Sequence, residues 1–108
     1  MRQERFTEQA QEAINLSQQI VQQYQHNQWD IEHILLALLQ QERGLVSEIF
    51  SDLGIDVNTI KRDIETFLEQ LPKVAYQTGQ IYATPRVGEL FKNADEEANR
   101  LKAILFHQ

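Results

Sequence analysis

The stretch Asp30-Ile31-Glu32-His33-Ile34-Leu35-Leu36-Ala37-Leu38-Leu39 decides how this chain reads. Its apolar residues cover a helix nearly all round, and such a helix is usually buried on several sides. It is therefore predicted to lie at the centre of a core. Asp30 is placed to cap it, because a side-chain oxygen there can accept an unpaired N–H of the first turn. Trp29 before the cap and Ile34 after it have the spacing of a hydrophobic staple.

Upstream, Ala10, Ala13, Ile14, Ser17, Ile20, Val21 and Tyr24 repeat with the period of one helix face, Ser17 standing as a small interior residue. The opposite face carries Gln11, Gln18, Gln22 and Gln25. A first helix over about 8–25 follows, with Thr7 as its N-cap. Downstream, Gly44 is predicted to end the central helix in the left-handed conformation of a C-cap. Leu45, Val46, Ile49, Phe50 and Leu53 then form a short helix closed by Gly54, and Asp56 caps a fourth helix bearing Val57, Ile60, Ile64, Phe67, Leu68 and Leu71. Pro72 stops it, since proline cannot continue the hydrogen-bond ladder.

Residues 72–83 show no helical period and contain Gly79, which reads as an extended linker. Thr84-Pro85 then opens a fifth helix with Val87, Leu90, Phe91, Ala94, Ala98, Leu101 and Leu105 at helical spacing. No segment alternates as a strand, so the expected class is all-α with five helices. Thr7 and Thr84 stand 77 residues apart, each before an amphipathic helix, a weak sign of repetition.

Composition narrows the function. The chain has 108 residues, enough for one domain, and 42% of them are hydrophobic, enough for a modest core. Ten Lys and Arg face sixteen Asp and Glu, a net charge of −6 that disfavours binding to a phosphate backbone. Residues 1–54 hold three basic and eight acidic residues, so this half is the better surface for a cationic partner, if its charge is more than solubilising. The absence of cysteine removes disulfides, zinc ribbons and thiol catalysis. No apolar run approaches the roughly 20 residues of a membrane span, and the N-terminus does not read as a secretory signal.

Catalytic chemistry finds no footing. There is no Walker-type phosphate loop, Gly-x-Gly-x-x-Gly or Gly-x-Ser-x-Gly. Glu32-His33 resembles half of a zinc-protease motif, but position 37 is Ala, and His26 and His107 are not at ligand spacing. Asp52 to Asp63 has the length of a calcium loop but lacks its central glycine and final glutamate. Asp95-Glu96-Glu97 are adjacent on a helix and point to different faces. No metal or cofactor is expected, and the chain is predicted not to be an enzyme.

Four pieces in order carry a resemblance: Phe6-Thr7-Glu8-Gln9-Ala10, His26-Asn27, Glu32-His33-Ile34-Leu35-Leu36-Ala37-Leu38-Leu39, and Thr84-Pro85-Arg86. Together they resemble the N-terminal domain of the ClpB- and ClpC-type Clp/Hsp100 unfoldases, over residues 6 to about 102. That family's domain is built from two imperfect four-helix repeats. The resemblance implies an orthogonal bundle with a first repeat over 1–71, a linker over 72–83, and the first helix of a second, incomplete repeat over 84–108. Ile31 stands where the family's motif has threonine. The second Glu-His-Leu-Leu motif does not follow Lys102.

The implied role is capture of unfolded, aggregated or tagged proteins, or of adaptors, for an ATPase ring acting in disaggregation, proteolysis and the stress response. By position, Thr7 matches the threonine implicated in ClpB-type substrate handling, and Glu32 matches the glutamate with which ClpC-type members engage phosphoarginine. Both also have plainer readings: Thr7 as a cap worth roughly 1 kcal/mol, Glu32 as a helix N-terminal charge. His33 is expected to be packed and hydrogen-bonded, and Trp29 to be a staple. The alternative role is that of free-standing Clp-N-like proteins of photosynthetic lineages, which stabilise a Clp protease core. The expected location is cytoplasmic, or plastid stroma in a photosynthetic eukaryote. The apolar face of helix 84–105 is expected to pack on the first repeat, to pack on another copy as a homodimer or domain swap, or to remain a sticky exposed surface.

Overall fold

The computed structural model describes residues 2–75 and 79–106, and side chains over 7–75 and 79–104. The chain is all-α: α1 (Arg2–Gln23), α2 (Ile31–Gln40), α3 (Leu45–Asp52), α4 (Val57–Gln70) and α5 (Pro85–Phe106). One small element was not expected from the sequence. β1 (Gln28–Trp29) pairs in parallel with β2 (Tyr82–Ala83), Gln28 opposite Tyr82 and Trp29 opposite Ala83. Before α5 the chain is tied to the first half of the molecule at two points: the Val74 N–H donates to the Gln25 carbonyl at 2.7 Å, and the Thr84 N–H to that of Trp29 at 3.0 Å.

The core divides in two around α2. Ala13, Ile20, Leu36, Ala37 and Leu68 join α1, α2 and α4, while Val21, Trp29, Ile34 and Val87 join α1, β1, α2 and α5. Leu38 packs against both clusters, so the apolar circumference of α2 is used on two sides. Trp29 and Ile34 meet in the second cluster, as a staple should. The Trp29 indole N–H donates to the Ser17 hydroxyl at 2.8 Å, and that hydroxyl donates to the Ile14 carbonyl at 2.7 Å. Ser17 therefore does more than fill space, because it partners a buried indole that would otherwise be unpaired.

The helix ends correct two expectations. α1 begins at Arg2, so Thr7 lies inside the helix rather than at its cap, and its side chain is exposed. Thr7 and Thr84 are consequently not equivalent caps. Gly44 is not the left-handed residue after α2; its φ is −70° and it is the N-cap of α3. Arg43 takes the left-handed conformation, at φ 56°. Gly44 is needed for closeness instead, since a Cβ there would stand 3.2 Å from the Gln41 Cβ and carbonyl.

Elsewhere the left-handed turns are regular. Gly54, at φ 79°, closes α3 with the Gly54 N–H on Ser51 and the Ile55 N–H on Phe50, the paired bonds of a Schellman motif. Gln25, at φ 60°, makes the same motif after α1, with its own N–H on Gln22 and the His26 N–H on Val21. A glutamine here pays the Cβ strain that glycine avoids.

Candidate recognition site where two helices begin

α2 and α5 start beside one another because β1 and β2 lead directly into them. Asp30 organises the junction. Its Oδ1 accepts the Ile31 N–H at 2.8 Å and the Thr84 hydroxyl at 2.9 Å. Thr84 thus caps nothing with its side chain; its hydroxyl ties the start of α5 to the cap of α2. The Thr84 carbonyl meanwhile accepts the first α5 bonds, from the N–H groups of Val87 and Gly88.

Arg86 closes the junction from the other side. Its guanidinium stands 3.4 Å from Asp30 Oδ2 and 3.2 Å from Glu32 Oε2. Glu32, the glutamate singled out by the sequence, therefore already holds a guanidinium, one supplied by this chain. Both carboxylates sit in or beside the first turn of α2, where the helix dipole also favours negative charge. The Arg86 side chain is 55% exposed, so the pair is a rim contact that solvent screens.

Behind the carboxylates lies a histidine pair. The Asp30 N–H donates to His33 Nδ1 at 3.0 Å, completing a capping box with histidine in the usual Glu or Gln position. His33 Nε2 is 3.0 Å from His26 Nδ1. Since His33 Nδ1 accepts, a neutral His33 carries its proton on Nε2 and donates it to His26. His26 then carries its proton on its own Nε2, a buried atom that makes no well-formed hydrogen bond among the described residues. Burial pushes both histidines below the ordinary value of 6.5. Lys73 adds to the effect at His26, and His26 adds to it at His33. Glu69 and the Leu68 carbonyl oppose it at His26, as Asp30 and Glu32 do at His33. His33 is packed and hydrogen-bonded, as its position on an apolar helix predicts.

The structure does not bring Thr7 and Glu32 together. Gln9, two residues after Thr7, accepts the Leu45 N–H at 3.1 Å and receives the Gln41 carboxamide on its carbonyl at 2.8 Å, at the C-terminal end of α2. Glu32 lies at the opposite end of that ten-residue helix, about 15 Å away along its axis. Arg86 and Asp30 are the members of the site that sequence reasoning passed over. The only available signal was charge pairing between Thr-Pro-Arg and Asp-Ile-Glu across 54 residues, which no local pattern links.

Two openings flank the junction. A cavity of about 330 Å³ lies between the start of α2 and the end of α4, lined by His26, Asp30, His33, Phe67, Leu71 and Lys73 among others. A groove of about 580 Å³ runs between α1 and β2, lined by Asn15, Gln18, Gln19, Gln22, Trp29, Gly79, Ile81 and Ala83. Among the described residues no group of three His, Cys, Asp or Glu side chains could hold a metal ion. No helix among them is long and apolar enough to cross a membrane.

The comparisons with known proteins agree on one family. Residues 5–103 match the Clp repeat (R) N-terminal domain. The chain is 33% identical over 99 residues to the chaperone protein ClpB of Clostridium perfringens, covering 89% of this chain and 11% of that protein. It is 37% identical over 91 residues to the chaperone protein ClpB 1 of Synechocystis sp., covering 84% of this chain and 10% of the relative. A probable ATP-dependent Clp protease ATP-binding subunit of Chlamydia pneumoniae is 34% identical over 103 residues, which is 92% of this chain and 12% of that one. The chain thus spans about one-ninth of the length of these relatives. With a match running from residue 5 to residue 103, the protein belongs to the Clp repeat (R) N-terminal domain family.

Proposed function

We propose that this chain is a recognition module of a Clp-type ATP-driven unfoldase, non-catalytic by itself, that captures unfolded or tagged proteins or the adaptors that carry them. The observation that carries this reading is the apolar surface left uncovered on α5. Leu101 and Ile104, one turn apart in its distal half, are 54 and 66% exposed, along a helix whose Val87 is buried. Clustered large apolar side chains in solvent mark a protein-interaction surface. Phe67 on α4 and Leu53 after α3 extend the apolar exposure elsewhere on the chain.

The Asp30–Glu32 pair is the second part of the reading. Two carboxylates that hold the Arg86 guanidinium can hold a substrate guanidinium in its place by charge-assisted bonds. Phosphoarginine is the modified form proposed for this position. Thr7, remote from that pair, acts separately, as an exposed contact on the first helix. The division into a repeat over 1–71, a linker and the start of a second repeat belongs to the same proposal. So does pairing with another copy through α5, which a monomeric light-scattering mass at high concentration would contradict.

The test is an NMR titration of labelled protein with a permanently unfolded model protein and, separately, with phosphoarginine. The expected result is amide shifts on the α5 face with the first ligand. With the second, shifts are expected at Asp30 and Glu32 that disappear in Glu32→Ala. Silence toward both ligands would turn the assignment to an accessory role in a Clp protease core.

A further inference from the structure

The short parallel ladder has an open edge, and the groove beside it is lined by uncharged residues among those described. Tyr82 and Thr84 spend their N–H groups on β1, donating to the carbonyls of Asn27 at 2.9 Å and Trp29 at 3.0 Å. Because successive residues of a strand alternate in direction, the N–H and C=O of Ile81 and Ala83 point to the other edge. Ala83 is exposed, and its backbone groups find no partner among the described residues. Both outward-facing residues, Ile81 and Ala83, line the 580 Å³ groove. The facing wall is α1, which contributes Asn15, Gln18, Gln19 and Gln22.

Each feature of this groove suits a peptide backbone. A carboxamide carries both donors and an acceptor, so a row of them can meet the N–H and C=O groups of any sequence. The strand edge supplies the same pair of groups at strand spacing. Every lining residue among the described ones is uncharged, so these residues offer no charge to a phosphate or a free carboxylate. Trp29 and Ile81 add apolar surface for alternate side chains. The volume lies within the range of roughly 300–1,000 Å³ typical of formed binding sites.

We infer that this groove binds an extended, uncharged segment of another polypeptide as a third strand on the free edge of β2. The mode is strand addition, in which main-chain hydrogen bonds give affinity with little dependence on sequence. The inference rests on the reading of the chain as a polypeptide-recognition module and assigns that function a second surface, apart from α5 and from the Asp30–Glu32 pair.

The experiment uses a short blocked peptide of alternating threonine and valine, and the same peptide N-methylated on alternate amides. N-methylation keeps the side chains and deletes the edge hydrogen bonds. Trp29, the single tryptophan, lies in the groove and reports binding by fluorescence, with NMR locating the shifts. The plain peptide is expected to bind with shifts at Ala83 and the Trp29 indole. The N-methylated peptide is expected to bind about tenfold more weakly, the factor for one or two ordinary hydrogen bonds.

Ala83→Pro, which removes only an outward N–H at an edge position, is expected to weaken the plain peptide similarly. Its folding is checked by circular dichroism, and the N-methyl comparison on the unaltered chain stands whether or not this variant folds. Equal affinity for the two peptides, or shifts confined to Leu101 and Ile104, would overturn strand addition while leaving polypeptide recognition intact. Failure to bind the peptide alongside binding of an unfolded protein would overturn it in the same way. Failure of both ligands would remove the recognition reading as well.

Discussion

The two halves of α5 have the same apolar period and opposite fates. In the first half, Val87 is fully buried against Val21, Trp29 and Ile34, Leu90 packs beside it, and the ring of Phe91 lies 5.7 Å from that of Trp29. In the second half every described side chain from Lys92 to Ile104 is exposed, including Leu101 and Ile104. The ion pair between Arg100 and Glu97 joins neighbours on one helix and anchors nothing to the core. The difference comes from the junction, not from the helix. Asp30, Thr84 and the β1–β2 ladder fix where α5 begins, and beyond the reach of α2 and β1 the described chain offers nothing to cover its apolar face. Periodicity tells which residues share a face; only tertiary neighbours determine whether that face is wet.

That contrast can be broken or sharpened by substitution. Leu36→Ala, at a side chain buried at the meeting of α1, α2 and α4, is expected to cost about 2–5 kcal/mol in urea unfolding. Within α5, Val87→Ala is expected to cost about 2 kcal/mol, whereas Leu101→Ala should stay within about 0.5 kcal/mol of the parent. Equal losses at positions 87 and 101 would mean that the distal half is covered in solution. Asp30→Ala removes the α2 cap and the Thr84 tie together, and about 1–2 kcal/mol is expected. The same variant should speed amide exchange in the first turn of α5 more than in its last.

The histidine pair gives the junction a pH dependence of definite sign. Both folded-state values lie below 6.5, so as the pH falls through 6.5 the unfolded chain takes up protons before the folded one does. Stability is therefore expected to be full above about pH 7 and to decline below 6.5, down to the lowered folded-state values. Urea midpoints across that range should show the decline, and His26→Gln should flatten it.

The smallest effect is expected at Thr7. As an exposed residue inside α1 rather than its cap, Thr7→Ala should change stability by less than about 0.5 kcal/mol. A loss near 1 kcal/mol would restore the capping role.

Much of this arrangement was legible in the sequence, and the misses share a cause. The five helices, the Asp30 and Asp56 caps, the Gly54 turn and the Trp29 staple all depend on residues within a few positions of one another. Thr7 was misplaced because a good capping residue is a permission to begin a helix, and the helix had already begun at Arg2. Gly44 was misread because glycine serves close approach as well as left-handed backbone, and here Arg43 bears the positive φ. The candidate site was half legible. Glu32 stood out through its motif, but Arg86 and Thr84 reach it from more than 50 positions away through a two-residue ladder too short to alternate visibly. The Gln-rich face of α1 was read as wet, as Gln11 and Gln22 are while Gln18 is half-buried, without the strand edge opposite that makes it one wall of a groove.

The central claim is that this fold recognises non-native polypeptide without doing chemistry on it. The most direct measurement is equilibrium binding of the chain to one model protein in two states, permanently unfolded and native, followed by fluorescence anisotropy. The expected result is saturable binding of the unfolded form, none of the native form, and no change in the ligand's covalent mass afterwards. Equal binding of both forms, or of neither, would contradict the claim.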